Sequence, residues 1–424
     1  MPKVRNITAL EILDSRGRPT VSATVALDSG AVGSASTPSG ASTGRAEALE
    51  LRDGEPSRYR GLGCRKAVMH VNRDIADALR GCAFVDQKAL DDALVALDGT
   101  SNKARLGANA ILAVSLAFAR AAAAERGIPL YQHFADMLDQ PVHTKPRLTV
   151  NLFSGGKHAG GQVPIQDVRI VPVAAQTIDE SLATIVAVYQ AAADLCLRKY
   201  DMRALSADEG GLAPPFADLG AMFEDTLDAI GAAGFAPGRD VAIAVDVASS
   251  HFYADGRYHL DPDATVDSAG MIEVIRGWVE RYPIVSVEDG LAEDDWAHWP
   301  ALCSALRGRA ITLGDDFLCT NPQRIERAIA AEACDALLLK VNQIGTLSEA
   351  AHACRLAREA HWKVTISARS GETEDNWLAD LAVGWAGDQI KVGSVTQSER
   401  LAKYNRLLAI EAERNLPIAR WPNK

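Results

Sequence analysis

Apolar and polar positions alternate through residues 4–37, most regularly at Val21, Ala23, Val25 and Leu27. A period of two puts such side chains on one face of a strand, and the intervening DSRGRP has turn composition, so a short antiparallel meander is expected. The period then lengthens. Apolar residues three and four apart predict helices near 65–80, 86–97 and 107–126, the last closed by Gly127 and Pro129. Strands followed by helices suggest a self-contained α+β unit. The stretch QPVHTKPR, with two prolines, reads as a linker at 140–147, and the expected domains are 1–138 and 139–424.

Beyond the linker the chain alternates between helical patterns and short apolar runs. Thr177 and Glu180 have capping-box spacing at the head of a helix expected over 177–199. The runs are VAIAVDVA at 241–248, IVSVEDG at 284–290, AITLGDD at 310–316, ALLLKVNQIG at 336–345, KVTISARSG at 363–371 and QIKVGS at 389–394. Near-continuous apolar strands separated by helices imply a parallel sheet covered on both faces. Each run also carries one ionisable residue at or just past its C-terminal end: Asp246, Glu288, Asp315, Lys340, Arg369 and Lys391. In a (β/α)8 barrel these ends converge on one mouth, where active sites sit. One such charge is ordinary loop solvation; six in succession, three acidic and then three basic, read as one site.

Three carboxylates without His or Cys beside them are hard oxygen donors and suit Mg2+. A cluster merely paired with the three cations fits less well, because buried ion pairs are weak sources of stability. Lys340 is the candidate base. An amine works as a base only with a lowered pKa, and desolvation with nearby cations (Mg2+ and Lys391) is expected to lower it.

Composition narrows the partners. The chain has 424 residues, with 44 Lys plus Arg against 55 Asp plus Glu and a formal charge of −11, which argues against nucleic acid and anionic membranes. Seven cysteines without a C-x-x-C pair read as reduced thiols of a cytoplasmic protein. The first residues, MPKVRNITALEILDSRG, reach Glu11 and Asp14 without an apolar core, so a secretory signal is not expected. The apolar stretch 108–124 is interrupted by Asn109, Ser115 and Arg120 and is expected to be a buried helix rather than a membrane span.

The chain resembles the enolase family along nearly its whole length. The matching segments are ILDSRGRPTV, PSGASTG, EALELRDG, LDGTSNKARLGANAIL, DEGGLAPP, VDVASS, VEDGLAEDDW, LGDD, LKVNQIGT, RSGETEDN and SERLAKYN. The resemblance implies an α/β chain, an N-terminal α+β domain followed by a (β/α)8 barrel, acting on a phosphorylated or phosphonylated carboxylate. It implies two Mg2+ sites and a homodimer or ring of dimers. Asp246, Glu288 and Asp315 align with the ligands of the first Mg2+. Lys340 aligns with the base at C2, Lys391 with its partner at the substrate carboxylate, and Glu209 with the acid that protonates the leaving hydroxyl. Ser42 matches a residue that closes over the second Mg2+ and the phosphate, Arg369 and Ser370 match phosphate contacts, and His158 matches the histidine of a mobile glycine-rich loop.

Several positions depart from the family pattern, and they cluster near the substrate. Ala368-Arg369-Ser370 replaces His-Arg-Ser, and Ser154-Gly155-Gly156-Lys157-His158 replaces Asn-Gly-Gly-x-His. Gln166-Asp167 replaces Gln-Glu, shortening by one methylene the carboxylate that supports Glu209, and Gln397 replaces an Arg. Arg18 and Ser22 stand where the family has Asn and Glu. Losing one imidazole contact to a charged group costs about 1.5–3 kcal/mol, or roughly 10- to 100-fold in binding or rate. Ala368 also leaves space that the positive charges of Lys157 and Arg18 are expected to approach. These departures suggest a paralogue with a substrate altered at its phosphoryl or leaving group, like the carboxyphosphonoenolpyruvate synthase of phosphonate pathways. An ordinary glycolytic enolase and a catalytically silent binding protein are the two alternatives.

Overall fold

The computed structural model describes residues 1–41, 43–201, 205–261 and 264–422. The N-terminal residues form the expected meander: β1 (Val4–Leu13), β2 (Pro19–Leu27) and β3 (Val32–Ser36), antiparallel and in that order. Val21, Ala23, Val25 and Leu27 are all buried. The helix Ala108–Arg126 packs against this face so closely that a Cβ at Gly33 would lie 2.2 Å from the Ala117 carbonyl oxygen, which explains the glycine. Its apolar residues are mostly inside the domain. The helical pattern at 65–80 resolves into Arg65–His70, a π-helical turn Val71–Ile75 and Ala76–Leu79. Gln87–Asp98 is capped by Asp86, whose Oδ1 accepts from the Ala89 N–H at 2.8 Å.

The second half is a closed eight-stranded barrel. Its strands are β4 (Arg147–Ser154), β5 (Asp167–Val171), β6 (Ala242–Asp246), β10 (Ile284–Glu288), β11 (Ile311–Gly314), β12 (Ala336–Leu339), β13 (Lys363–Ser367) and β14 (Gln389–Lys391), with β14 returning to β4. A small separate sheet of β7 (Tyr253–Ala254), β8 (Arg257–Asp261) and β9 (Ala264–Val266) follows β6. Helix Ile178–Tyr200 starts on the Thr177 cap, as the spacing predicts.

The barrel is not parallel throughout, which corrects the sequence expectation. β5 runs antiparallel to both β4 and β6, while the remaining neighbours are parallel. The connection from β4 to β5 holds only the 3-10 turn Gly156–His158, with no helix to carry the chain back for a parallel start.

The two domains are tied where the loops meet. Ser39 and Gly371 exchange backbone hydrogen bonds of 2.8 and 2.9 Å. Asp91 accepts from the Ser348 N–H and hydroxyl, and Lys103 pairs with Glu349 at 2.9 Å.

Candidate active site

The C-terminal strand ends deliver the charges. Asp246 ends β6 and Glu288 ends β10, and the two are paired in register, so their side chains emerge side by side. Asp315 follows β11 directly. Lys391, at the end of β14, reaches across the mouth and donates from Nζ to Asp246 Oδ2 and Glu288 Oε1, both at 2.8 Å. Arg169 donates to the other Glu288 oxygen at 2.6 Å, and Lys340 Nζ donates to Asp315 Oδ2 at 2.5 Å. All six side chains are buried.

Burial and charge push these groups apart. Burial, reinforced by the Glu288 charge, raises Asp246 to about 7 against the pull of Lys391 and Arg169. Burial would raise Glu288 too, but the charges of Arg169, Lys391 and Lys340 hold it below its ordinary value. Without a cation beside it, Lys340 answers first to Asp315. Burial works to lower its pKa, yet the Asp315 carboxylate raises it, outweighing the repulsion of Arg369 and Lys391. In the chain alone Lys340 is therefore an ammonium group locked to Asp315.

The donor set fits a hard divalent cation. It consists of carboxylate oxygens, already arranged about positively charged nitrogens, and Gln166 beside them has a buried Oε1 without a hydrogen-bond partner among the described residues. Among the described residues, the carboxylates with ligand atoms all within 4.8 Å of one another are those of Asp289, Asp315 and Asp316, not the expected trio Asp246, Glu288 and Asp315. Asp289 accepts the Asp315 and Asp316 N–H groups, each at 2.8 Å, and so fixes the turn that presents Asp315.

Glu209 is held by β4 and by the loop after β14. Asn151, inside β4, donates to Glu209 Oε2 at 3.0 Å, and the Glu209 carbonyl accepts the Ser394 N–H at 2.8 Å. Lys391 feels the charges of both Glu209 and Lys340, so all three lie near one another.

Arg369 and Ser370 line the loop after β13. Arg369 is buried and bonds Glu47 at 3.1 Å and Asn342 at 3.0 Å; Ser370 Oγ accepts from Arg16 at 3.0 Å and from the Ala41 N–H at 2.7 Å. The segment ending at Ala41 is thereby pinned to the barrel. Beneath the loop, fully buried Arg400 donates to the carbonyls of Arg369 (2.7 Å), Ser370 (2.6 Å) and Val392 (2.9 Å). Ala368 is buried beside them, its N–H bonded to the Lys391 carbonyl at 2.8 Å.

Not every candidate residue gathers here. Ser42 and the side chain of His158 lie outside the described residues. Lys157 and Arg18 are exposed, as solvated loop cations are, and not buried beside Ala368. Asp167 is fully buried and accepts from Ser154 Oγ at 2.6 Å, so two of the departures from the family pattern touch one another. A third, Gln397, lies against the loop that carries Glu209; with its amide assigned in the orientation that pairs both ends, it donates to Glu399 Oε1 at 2.9 Å and to the Asp208 carbonyl at 3.0 Å.

Sequence reasoning missed Arg169, Asn151, Glu47, Asp289, Asp316, Arg400 and Gln343, whose Nε2 donates to Asp315 Oδ1 at 3.0 Å. Asp289 and Asp316 were readable as the second acids of the VED and GDD doublets. Arg169 and Asn151 sit within strands, where no end-of-strand signal exists.

Family comparison identifies the two domains. Residues 4–134 match the model described as enolase, N-terminal domain, and residues 142–416 match the model described as enolase, C-terminal TIM barrel domain.

Proposed function

The chain belongs to the enolase family, and from that premise we propose that it is a Mg2+-dependent lyase acting on a 2-phosphoglycerate-like substrate. It removes the proton α to a carboxylate and eliminates a β leaving group, giving a phosphoenolpyruvate-type product. The observation that supports this is the gathering of Asp246, Glu288 and Asp315 with Lys340 and Lys391 at one barrel mouth, with Glu209 close enough for its charge to act on Lys391.

The residues divide the work. Mg2+ held by Asp246, Glu288 and Asp315 would supply positive charge at the substrate carboxylate, making its α-proton more acidic. Lys340 would first have to part from Asp315 and give its own proton to solvent; as the neutral amine it then takes the α-proton on Nζ, and Lys391 holds the carboxylate that now carries the electrons. Glu209, oriented by Asn151, gives a proton to the leaving oxygen, so base and acid act with different protonation states at one pH. Arg369 and Ser370 hold the phosphoryl end, and the Arg400 fork keeps their backbone fixed. The lid around Ser42 excludes water, which strengthens every charge interaction inside.

The substrate departs from 2-phosphoglycerate at its phosphoryl or leaving group, as in a carboxyphosphonoenolpyruvate synthase. Ala368 supports this, since a methyl group where the family has an imidazole removes one polar contact and adds room. The contact between Ser154 and Asp167 favours a second reading, an ordinary glycolytic enolase in which two changes offset each other. Purified protein with Mg2+ and 2-phosphoglycerate decides between them, with product absorbance followed over time. Turnover at ordinary enolase rates would overturn the altered-substrate reading; absent turnover, with exchange of the C2 proton retained, would support it. The seven cysteines are all free thiols, which suits the cytoplasm.

A further inference from the structure

The three strand-end carboxylates each meet a lysine through one oxygen. Lys391 Nζ donates to Asp246 Oδ2 and Glu288 Oε1, both at 2.8 Å, and Lys340 Nζ donates to Asp315 Oδ2 at 2.5 Å. On Glu288 and Asp315 the second oxygen is taken as well, and by a different kind of side chain. Arg169 Nη2 donates to Glu288 Oε2 at 2.6 Å, and Gln343 Nε2 donates to Asp315 Oδ1 at 3.0 Å.

These two holders are built into the barrel. Arg169 lies opposite Ala244 on β6, two residues deeper than the Asp167–Asp246 pair, and Ala244 in turn lies opposite Ser286 on β10. Such small neighbours leave room for a guanidinium beside Glu288, where Arg169 is 1% exposed and its partner 0%. The charges of Asp246 and Asp167 also favour the guanidinium there. Gln343 is fully buried, and its Oε1 accepts from Thr320 Oγ1 at 2.7 Å, so its amide turns the Nε2 end to Asp315. The two lysines are compact charges on flexible stems, which an entering cation can displace.

We propose that Arg169 is a positioning residue that leaves Glu288 one oxygen to offer a cation and thereby selects Mg2+ over Ca2+, a role that rests on the Mg2+-dependent lyase reading. Gln343 acts likewise at Asp315. Mg2+ accepts an octahedron of single oxygens completed by water, whereas Ca2+ seeks roughly six to eight oxygens and often takes both from one carboxylate. With the second oxygens already held, Ca2+ falls short of its ligand number and Mg2+ gives up nothing. The Arg169 charge opposes both ions alike, so its effect is read in the ratio of the two affinities.

The test is a calorimetric titration of the full chain, without substrate, with Mg2+ and separately with Ca2+. The unmodified protein should bind Mg2+ at least about tenfold more tightly, the range over which residues behind the ligands ordinarily act. Arg169→Met should erase most of that preference. Arg169→Lys, which keeps a cationic donor, should retain a larger share of it, and Gln343→Leu should reduce it in part. Asp246→Asn should weaken Mg2+ binding, which assigns the heat to the barrel mouth. An arginine that only stabilised the fold would lower both affinities and leave their ratio alone. An unchanged ratio in a folded Arg169→Met protein would therefore overturn the proposal while the metal reading stands. Equal binding of Ca2+ and Mg2+ by the unmodified protein would do the same without any variant. No Mg2+ binding, or binding indifferent to Asp246→Asn, would overturn both.

Discussion

Lengthening Asp167 to Glu tests whether the departures near the site are coupled. Asp167 and Ser154 are opposite one another on β5 and β4, both completely buried, and joined by a hydrogen bond of 2.6 Å. The neighbourhood has no slack: a Cβ at Gly211 would lie 2.4 Å from Ser154 Oγ, so backbone already covers the serine. An extra methylene on Asp167 must strain its surroundings, at about 1–3 kcal/mol, or lose the hydroxyl-to-carboxylate bond, at about 1.5–3 kcal/mol. Ser154→Asn meets the same crowding alone. The family pattern has Asn and Glu together, so the double variant should recover much of the loss, with a coupling energy of about 1–3 kcal/mol. Equilibrium urea unfolding of the parent, both single variants and the double variant, followed by tryptophan fluorescence, measures it. Single effects that add to within about 0.5 kcal/mol would show the positions to be independent and refute the reasoning.

Four further outcomes are expected. Lys340→Ala should abolish exchange of the substrate C2 proton in deuterium oxide while a calorimetric Mg2+ titration is little changed; surviving exchange would remove Lys340 as the base. Glu209→Gln should block elimination yet permit that exchange, and loss of both would make Glu209 a binding residue. Arg400→Lys keeps the charge but loses the fork that holds three carbonyls, so KM should rise roughly 10-fold or more, for the loss of at least one charged hydrogen bond. His133 ordinarily titrates near 6.5 but only near 4 in the folded chain. As pH falls through this window the unfolded chain gains a proton that the folded chain refuses, so stability drops by roughly 3 kcal/mol. His133→Leu should flatten that part of the pH–stability curve; an unchanged slope would contradict it.

The sequence revealed elements wherever one face was buried and the other wet. Val21 to Leu27 alternate because β2 has a solvated side, and the parallel barrel strands read as apolar runs because both sides are covered. β4 and β5 escaped detection for a definite reason. Their interior positions are polar (Arg147, Thr149, Asn151, Asp167, Arg169) and bond partners that the closed barrel brings near, such as Gln389 for Thr149 and Glu288 for Arg169. The charges ending the later strands were legible because each stands alone after an apolar run. Their protonation was not: the direction of the Lys340 shift depends on the reach of Asp315, which no spacing encodes.

The reversed β5 has an evolutionary corollary. Because β4 ends and β5 begins at the same rim, both ends of segment 155–166 are anchored at the entrance. Residues can be gained or lost there without moving a single outer helix, whereas elsewhere around the ring a change in length must be absorbed by a helical return. Selection for a new substrate has, in that hairpin, a place to remodel the doorway while the walls stay as they are.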